Sequence, residues 1–352
     1  MTSSSTPDLT DNTANKALSS DGNDPDENSQ AGPARVIAML RLDRYSGLYL
    51  AAILIVVFSV LLPDTFASAD NARVIAGSAA IGGILTLAVA VSMAAGTFDI
   101  SLAANMTFSV CFLGLLLTSG FPWPLAVIVT VLVGAAIGGM NAFIITELGV
   151  EPIIATLGMS SVLAALAMWV ADGQTVLLDQ VGPTFTNAGS AMIGTIPITV
   201  FYLVAVAVVL WFMLEHTPFG RYIYAIGSNK QAAKLAGIRV KRVQATSLMI
   251  TGALAALAGV ILSMQLGAAS FGAGAPYLLP AFAATFLGST QILPGRFNVR
   301  GTVVALYLLA IAVKGLQLQF PDLPWIKDMV EGVVLLVAVS VTARAIRNRQ
   351  TR

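Results

Sequence analysis

The sequence predicts an all-α protein that crosses a membrane about ten times. Hydrophobic residues make up 57% of the 352-residue chain, charged residues make up only 11%, and the mean hydropathy is +0.83. Soluble domains carry about 25% charged residues, so a soluble fold of this length could not cover so much apolar surface. The apolar residues also fall into runs close to the roughly 20 residues that a helix needs to cross a bilayer.

Ten apolar runs mark the predicted spans. They lie near residues 47–62, 73–94, 101–119, 122–145, 153–171, 196–214, 245–264, 278–293, 301–319 and 327–343. The run at 278–293 is the weakest, because it is short and begins beside Pro276 and Pro280, so we expect a broken or re-entrant helix there. Several runs are rich in Gly and Ala, which allow close helix packing in lipid.

The distribution of basic residues predicts which ends of the spans face the cytoplasm. With the N-terminus inside, 16 of the 19 Lys and Arg fall in cytoplasmic segments, whereas Arg73 and Lys327 fall outside and Lys314 falls within a span. Cytoplasmic loops of membrane proteins carry an excess of Lys and Arg, so we expect ten spans with both termini in the cytoplasm.

Three segments follow from this pattern. Residues 45–343 form the predicted transmembrane domain, and residues 344–352 form a cytoplasmic C-terminal tail. Residues 1–44 form a cytoplasmic N-terminal tail whose first part is rich in Ser, Asp, Asn and Pro. Such a composition buries too little apolar surface to fold, so we expect disorder, and it lacks the basic start and apolar core of a signal peptide.

Several chemistries are excluded by the residues that the chain lacks. A single cysteine, Cys111, excludes a disulfide framework and a zinc cluster, and a single histidine, His216, argues against an intramembrane hydrolase. No G-x-x-x-x-G-K-[ST] phosphate-binding loop occurs, so we expect no ATP hydrolysis by this chain. We therefore predict no catalytic residue, no metal site and no cofactor in the chain itself.

A long polar segment, residues 215–244, interrupts the apolar spans and carries six Lys and Arg. Ser228 or Asn229 can cap a short helix over 231–236, and Gly237 fits the left-handed residue that ends such a helix. The predicted apolar face of this helix comprises Ala232, Ala233, Leu235 and Ala236. The segment is either a solvated basic connector or a helix that docks in a groove of a partner, and the capped apolar helix favours docking.

The same segment carries a resemblance to a known family. GRYIYAIGSNKQAAKLAGIRVKRV, at 220–243, resembles the cytoplasmic coupling loop of ABC importer permeases of the ribose, monosaccharide and autoinducer-2 branch. GTFDIS at 96–101 and FLGSTQILPGRFNVRGT at 286–302 resemble two further motifs of these permeases. Order and spacing agree over the transmembrane domain. The chain departs from the family at Ser228 and at Lys230-Gln231, where Gly and an acidic residue are usual.

The resemblance implies a permease subunit that carries a monosaccharide or a sugar-like small molecule across the bacterial inner membrane. It implies the type II-like fold of these permeases, with spans 2–5 and 7–10 as inverted repeats. The implied partners are ATPase subunits that bind ATP and Mg, an extracytoplasmic solute-binding protein and a second permease, with a homodimer as the expectation and a heterodimer as the alternative. The residues implied to contact the ATPase are Gly220, Arg221, Ala225, Gly227, Asn229, Ala232, Ala233 and Gly237.

Other polar residues near or within the spans are candidates for a gate or pathway. Those singled out are Asp99, Ser101, Asn105, Phe282 and Thr285, with Met106 and Thr156 as further wall candidates. Asp99 or Ser101 either caps the helix that follows or serves as a polar gate or a contact with the driving subunit. A lysine at membrane depth, Lys314, should snorkel, pair with Glu331 or line the pathway, and the family commonly has Asn there.

Alternatives from the same and from other classes remain at this stage. The loop pattern is shared less closely by branched-chain amino acid permeases. An ion-coupled carrier working alone would need acidic groups at mid-membrane, and a membrane scaffold would transport nothing. The outer loop, residues 171–195, is either solvated or a docking surface for an external binding protein.

Overall fold

Helices account for most of the chain in the computed structural model, which describes residues 42–350 and the side chains of residues 45–342. The α-helices of this part are α1 Leu42–Leu61, α2 Ala69–Ala94, α3 Leu102–Thr118, α4 Trp123–Thr146, α5 Pro152–Ala171, α6 Pro183–Ser190, α7 Ile198–His216, α8 Pro218–Ser228, α9 Lys230–Leu235, α10 Val240–Leu266, α11 Ala275–Gly288, α12 Val299–Gln319 and α13 Ile326–Gln350. The predicted disorder of the N-terminal tail concerns residues 1–41, which lie outside the described residues.

Six helices of the described part are long and apolar enough to cross a membrane: α2, α4, α5, α7, α10 and α12. Three further apolar helices are shorter, namely the part of α1 from Tyr45 onward, α3 and α11. These nine coincide with nine of the ten predicted spans, and α13 begins within one residue of the tenth. The prediction of a polytopic helical membrane protein is confirmed.

The two longest described helices, α2 with 26 residues and α10 with 27, run through the centre of the bundle and are its most buried apolar spans. Each is followed by a short loop and then a short helix, α3 after α2 and α11 after α10. Helix α11 has only 14 residues and contains Pro280, so the weakest predicted span is indeed a short helix with an internal proline.

Close contact between α4 and α10 depends on glycine. A Cβ atom placed on Gly138 would collide with the carbonyl of Leu248, and one placed on Gly252 would collide with the carbonyl of Gly134. By contrast, a Cβ on Gly139 would meet Met249 at an ordinary 3.5 Å. Small residues at the crossing therefore let the two backbones touch, as the sequence predicts for these Gly-rich runs.

Two ion pairs mark one end of the bundle. At one end, Lys241 at the start of α10 pairs with Glu147 after α4 at 2.8 Å, and Arg300 at the start of α12 pairs with Glu215 near the end of α7 at 2.5 Å. We call this the loop end, because α8 and α9 lie there. Three of these four side chains are at least half exposed, so the pairs contribute more to the position of the helix ends than to stability.

At the far end, short strands join distant parts of the chain. Strand β1, Val176–Leu177, pairs antiparallel with β4, Ala268–Ala269, and β2, Met192–Ile193, pairs with β3, Ile196–Pro197. A short 3-10 helix, Asp179–Val181, and α6 lie between β1 and β2. The far-end segment is therefore folded against the bundle, with Phe185 fully buried, rather than being a simple solvated loop.

Candidate functional site

The polar segment at the loop end folds into two short helices, α8 and α9, rather than one. Pro218 occupies the first turn of α8, and the Thr217 hydroxyl accepts a hydrogen bond from the Gly220 N–H at 3.4 Å. Proline at the first position and a hydroxyl cap are standard signals for the start of a helix. The sequence predicted one helix in this segment, over 231–236, so the 11-residue α8 was missed although the signals for its start were present.

Helix α9 begins and ends as predicted. The Asn229 Oδ1 atom accepts a hydrogen bond from the Ala232 N–H at 2.9 Å, which satisfies a free donor of the first turn. At the other end, Gly237 adopts a φ of +81°, and the N–H groups of Gly237 and Ile238 bond back to the carbonyls of Lys234 and Ala233, each at 3.1 Å. This pair of bonds is a Schellman motif, which needs a left-handed residue at Gly237.

The apolar residues of α9 divide between two sides of the helix. Ala233 is 4% exposed and packs into the body of the protein, whereas Leu235 is 90% exposed. Ala232 and Ala236 are also exposed. Of the four residues predicted to form one apolar face, Ala232, Leu235 and Ala236 are therefore exposed on one side, and Ala233 alone turns inward. The outward side of α9 combines one large apolar side chain with the exposed Lys230 and Lys234.

Helix α8 is anchored to the rest of the bundle through glycine. A Cβ atom on Gly227 would collide with the carbonyl of Ala94 at the end of α2, and a Cβ atom on Gly96 would lie 3.4 Å from the Gly227 Cα. At the start of α8, a Cβ on Gly220 would collide with the carbonyl of Leu214. These contacts leave no room for a side chain, so a movement of α8 must be passed to the end of α2.

A second set of contacts connects α8 to the segment that precedes α12. The Tyr224 hydroxyl donates to the Phe297 carbonyl at 2.9 Å, and the Arg296 guanidinium lies 3.4 Å above the Tyr224 ring. Of the remaining predicted loop residues, Arg221 is exposed and Ala225 is half-buried. Helix α8 thus contacts two loops at once, the 95–101 loop through Gly227 and the 294–300 loop through Tyr224.

A basic cavity of about 780 Å³ lies between α9 and the turn that connects α4 to α5. The cations lining it are Lys230, Lys234, Arg239, Lys241 and Arg242. Lys241 is paired with Glu147, and the carboxylate that lines the cavity, Glu151, accepts a hydrogen bond from the Ile154 N–H as the cap of α5. The cavity therefore offers an excess of positive charge to any partner that reaches α9.

Asp99 lies at the centre of a buried polar cluster in the 95–101 loop and is 1% exposed. Its Oδ1 atom accepts hydrogen bonds from the Ser101 N–H at 2.9 Å and the Ser101 hydroxyl at 2.6 Å, and the Asn141 amide donates to the Ser101 oxygen at 2.7 Å. Burial raises the pKa of the Asp99 carboxyl, and the hydrogen bonds from Ser101 oppose that rise.

This geometry corrects the expected capping role. The Ser101 hydroxyl makes no cap bond to α3, because it is used between Asp99 and Asn141. The backbone N–H that donates to the Asp99 carboxylate is that of Ser101, which precedes α3. With 1% of its surface exposed, Asp99 lies inside the chain and not on the surface of the loop end.

Two of the remaining candidates hold helices together, and one makes a ring contact with the 95–101 loop. Asn105 donates to the carbonyls of Gly134 and Gly252 at 3.3 Å each, and Thr285 donates to the Thr86 carbonyl at 3.1 Å, so both fasten helices together. Met106 and Thr156 are fully buried. Phe282 differs, because its ring stacks on Phe98 of the 95–101 loop with centroids 4.8 Å apart. Phe98 also lies 6.5 Å from Phe286, which extends the aromatic contact along α11.

The predicted pair between Lys314 and Glu331 does not form. Among the side chains of residues 45–342, the ion pairs within 4.0 Å are Arg73–Asp70, Lys241–Glu147 and Arg300–Glu215. Lys314 and Glu331 instead line the same cavity from α12 and α13. Helices α12 and α13 are neighbours in the sequence, but their order does not fix how each helix is rotated about its axis. The expected pair was wrong for this reason.

The chain matches the family model described as "Branched-chain amino acid transport system / permease component" over residues 71–339. The ribose import permease protein RbsC of Bacillus subtilis is 33% identical over 306 residues, which cover 86% of this chain and 92% of the relative. The D-allose transport system permease protein AlsC of Escherichia coli is 28% identical over 277 residues, or 78% of this chain and 84% of the relative.

The autoinducer 2 import system permease protein LsrD of Salmonella typhimurium is 30% identical over 270 residues, which cover 73% of this chain and 78% of the relative. No solved structure matches the chain. The family match spans most of the membrane-embedded part, and the relatives are aligned over more than three quarters of their own length. The chain therefore belongs to the family of ABC importer permeases that includes the ribose, allose and autoinducer-2 permeases.

Proposed function

We propose that this chain forms the membrane pathway for a monosaccharide or sugar-like solute and is driven by ATPase subunits that bind α9. The observation that carries this proposal is the construction of the loop end. Helix α9 presents the 90% exposed Leu235 beside a basic cavity, while the adjoining α8 is wedged against the end of α2. An exposed apolar side chain on a rigidly attached helix suits a docked, force-bearing contact.

The route of the force follows from the contacts. A push on α9 reaches α8 through the single residue between them, Asn229. Helix α8 passes it to the 95–101 loop through Gly227 and to the 294–300 loop through Tyr224. The stacked rings of Phe98 and Phe282 lie between the 95–101 loop and α11. We propose that these rings separate and close as α8 moves, and that Asp99 holds their loop in one of two positions.

We also propose ten spans with both termini in the cytoplasm. The loop end carries α8, α9 and the basic cavity, which fits the excess of Lys and Arg on cytoplasmic surfaces. The order of a long central helix, a short loop and a short helix occurs twice, first in α2 and α3 and again in α10 and α11, with the two short loops at opposite ends. That order supports two inverted repeats, spans 2–5 and 7–10.

The partners follow from the same proposal. ATP and Mg would be bound by the ATPase subunits, and this chain would hold no cofactor. A second copy would complete the pathway as a homodimer. An extracytoplasmic binding protein would meet the far end, where Leu177, Met192, Ile193 and Ile196 leave large apolar side chains exposed. The names of the relatives favour a sugar over a branched-chain amino acid as the solute.

Reconstitution tests the proposed function. Proteoliposomes that contain the chain, its ATPase and its binding protein are expected to accumulate D-ribose, D-allose or autoinducer-2 when ATP is present inside, and not when ATP is absent. Leucine is the matched solute for the branched-chain alternative. ATP-driven uptake of leucine without uptake of any of the three sugar-like solutes would contradict the proposal.

A further inference from the structure

A cavity of about 490 Å³ opens in the half of the bundle that faces away from α8 and α9. It is lined by residues 75–82 of α2, by the first turns of α11 and α13, by the last turns of α10, and by the middle and last turns of α12. Helices α10 and α12 begin at the loop end, so their last turns belong to the far end. The volume falls within the range of about 300–1,000 Å³ that small-molecule sites occupy.

Besides Ser78 and Ser270, whose hydroxyls take part in hydrogen bonds within the chain, five polar side chains line this otherwise apolar cavity: Tyr277, Lys314, Gln317, Lys327 and Glu331. None of them makes a side-chain hydrogen bond or an ion pair within 4.0 Å to another side chain or backbone group of the described residues. Glu331 is only 5% exposed, and its carboxylate accepts no hydrogen bond from the described residues. A carboxylate that faces the cavity without a donor from the protein takes its hydrogen bonds from water or a solute in that cavity.

Two lysines and one glutamate in one cavity favour a solute that can both donate and accept hydrogen bonds. An anionic solute would meet Glu331, and a cationic solute would meet Lys314 and Lys327 in the same small volume. A neutral polyol is repelled by none of these charges, because its hydroxyls donate hydrogen bonds to the carboxylate and accept them from the two ammonium groups. The Gln317 amide can both donate a hydrogen bond to a hydroxyl and accept one from it, and the Tyr277 ring offers an apolar surface to the C–H groups of a sugar.

We propose that this cavity is a sugar-holding site within the permease, on the side from which the solute arrives, with Glu331 as the principal acceptor and Lys314 as the principal donor. The inference rests on the proposed function. It adds a polar solute site within the membrane part of this chain, between α12 and α13. A polyol exchanges its hydrogen bonds with water at little cost, so the site holds the solute without trapping it.

Occupancy of the site can be measured without transport. The chain's only cysteine, Cys111, is buried, so a Cys111→Ala background allows a single new cysteine, Ala310→Cys, at the cavity wall. D-Ribose at saturating concentration is expected to slow modification of that cysteine by a thiol reagent severalfold, and Glu331→Gln is expected to remove the protection. Ser190→Cys, on the exposed side of α6, is the matched control and should show no protection. Equal protection at both cysteines, or none at the cavity, would overturn the proposal.

Transport by the complete importer provides the second measurement. The binding protein sets half-saturation, so the variants Glu331→Gln and Lys314→Gln are expected to lower the maximal uptake rate by about tenfold or more and leave ATPase association unchanged. Asp70→Asn, an exposed acid on α2, is the control. If the wild-type importer carries no sugar, the proposed function fails. If it carries sugar and both variants transport at the wild-type rate, the site inference alone is wrong.

Discussion

Replacing Leu235 with alanine separates a docking contact from the fold. Leu235 is 90% exposed, so the substitution should change the free energy of unfolding by no more than about 0.5 kcal/mol. If the leucine is buried on docking, alanine removes three carbon atoms from the contact, which costs about 2 kcal/mol. That cost corresponds to roughly 30-fold weaker binding of the ATPase subunit.

Binding of the purified ATPase to the permease in nanodiscs measures this effect directly. Leu177→Ala provides the matched control, because Leu177 is 63% exposed on β1 at the far end of the bundle. We expect the control to bind the ATPase like the wild type and to keep the same thermal stability. Wild-type affinity for Leu235→Ala, or an equal loss for both variants, would refute the reasoning that α9 is the docked surface.

Three further predictions concern the fold and the loop end. Gly138→Ala should lower the free energy of unfolding by about 1–3 kcal/mol or more, because its Cβ meets the Leu248 carbonyl, whereas the neighbouring Gly139→Ala should be tolerated. Thermal unfolding in detergent compares the two variants, and equal unfolding midpoints would contradict the packing argument. The Cβ of Gly237→Ala meets no neighbouring atom but sits at a φ of +81°, so we expect α9 to lose about 1–2 kcal/mol of local stability. This loss should appear as faster hydrogen exchange at the end of α9, and unchanged exchange would count against the Schellman motif. Burial raises the pKa of the Asp99 carboxyl, so the folded chain holds the carboxyl proton more tightly than the unfolded chain does. The free energy of unfolding should therefore fall as the pH rises above the ordinary pKa of 3.8. Asp99→Asn cannot ionise and should flatten this dependence, whereas parallel pH profiles for the variant and the wild type would refute the argument.

The features predicted correctly from the sequence depend on neighbouring residues. Length and hydropathy located the spans, since a bilayer fixes the length of an apolar helix. Asn229 and Gly237 marked the two ends of α9, because caps depend on residues within one turn. Pro280 identified α11 as an irregular helix for the same reason.

The features that were predicted wrongly or missed depend on the tertiary arrangement. The Ser101 hydroxyl is withdrawn from α3 by Asn141, which lies 40 residues away in the chain. Lys314 and Glu331 face a common cavity without touching, and only the rotation of α12 and α13 decides that. Helix α8 is an exception, since Thr217 and Pro218 signalled its start and a closer reading of the caps would have found it.

The most direct test of how this protein works is solute movement by the purified chain in proteoliposomes, with and without its ATPase. We predict that radiolabelled D-ribose crosses the membrane only when the ATPase, ATP and the binding protein are all present. Accumulation of the sugar by the chain alone, driven by an ion gradient, would show that energy does not arrive through α9 and would contradict the proposed role of the loop end.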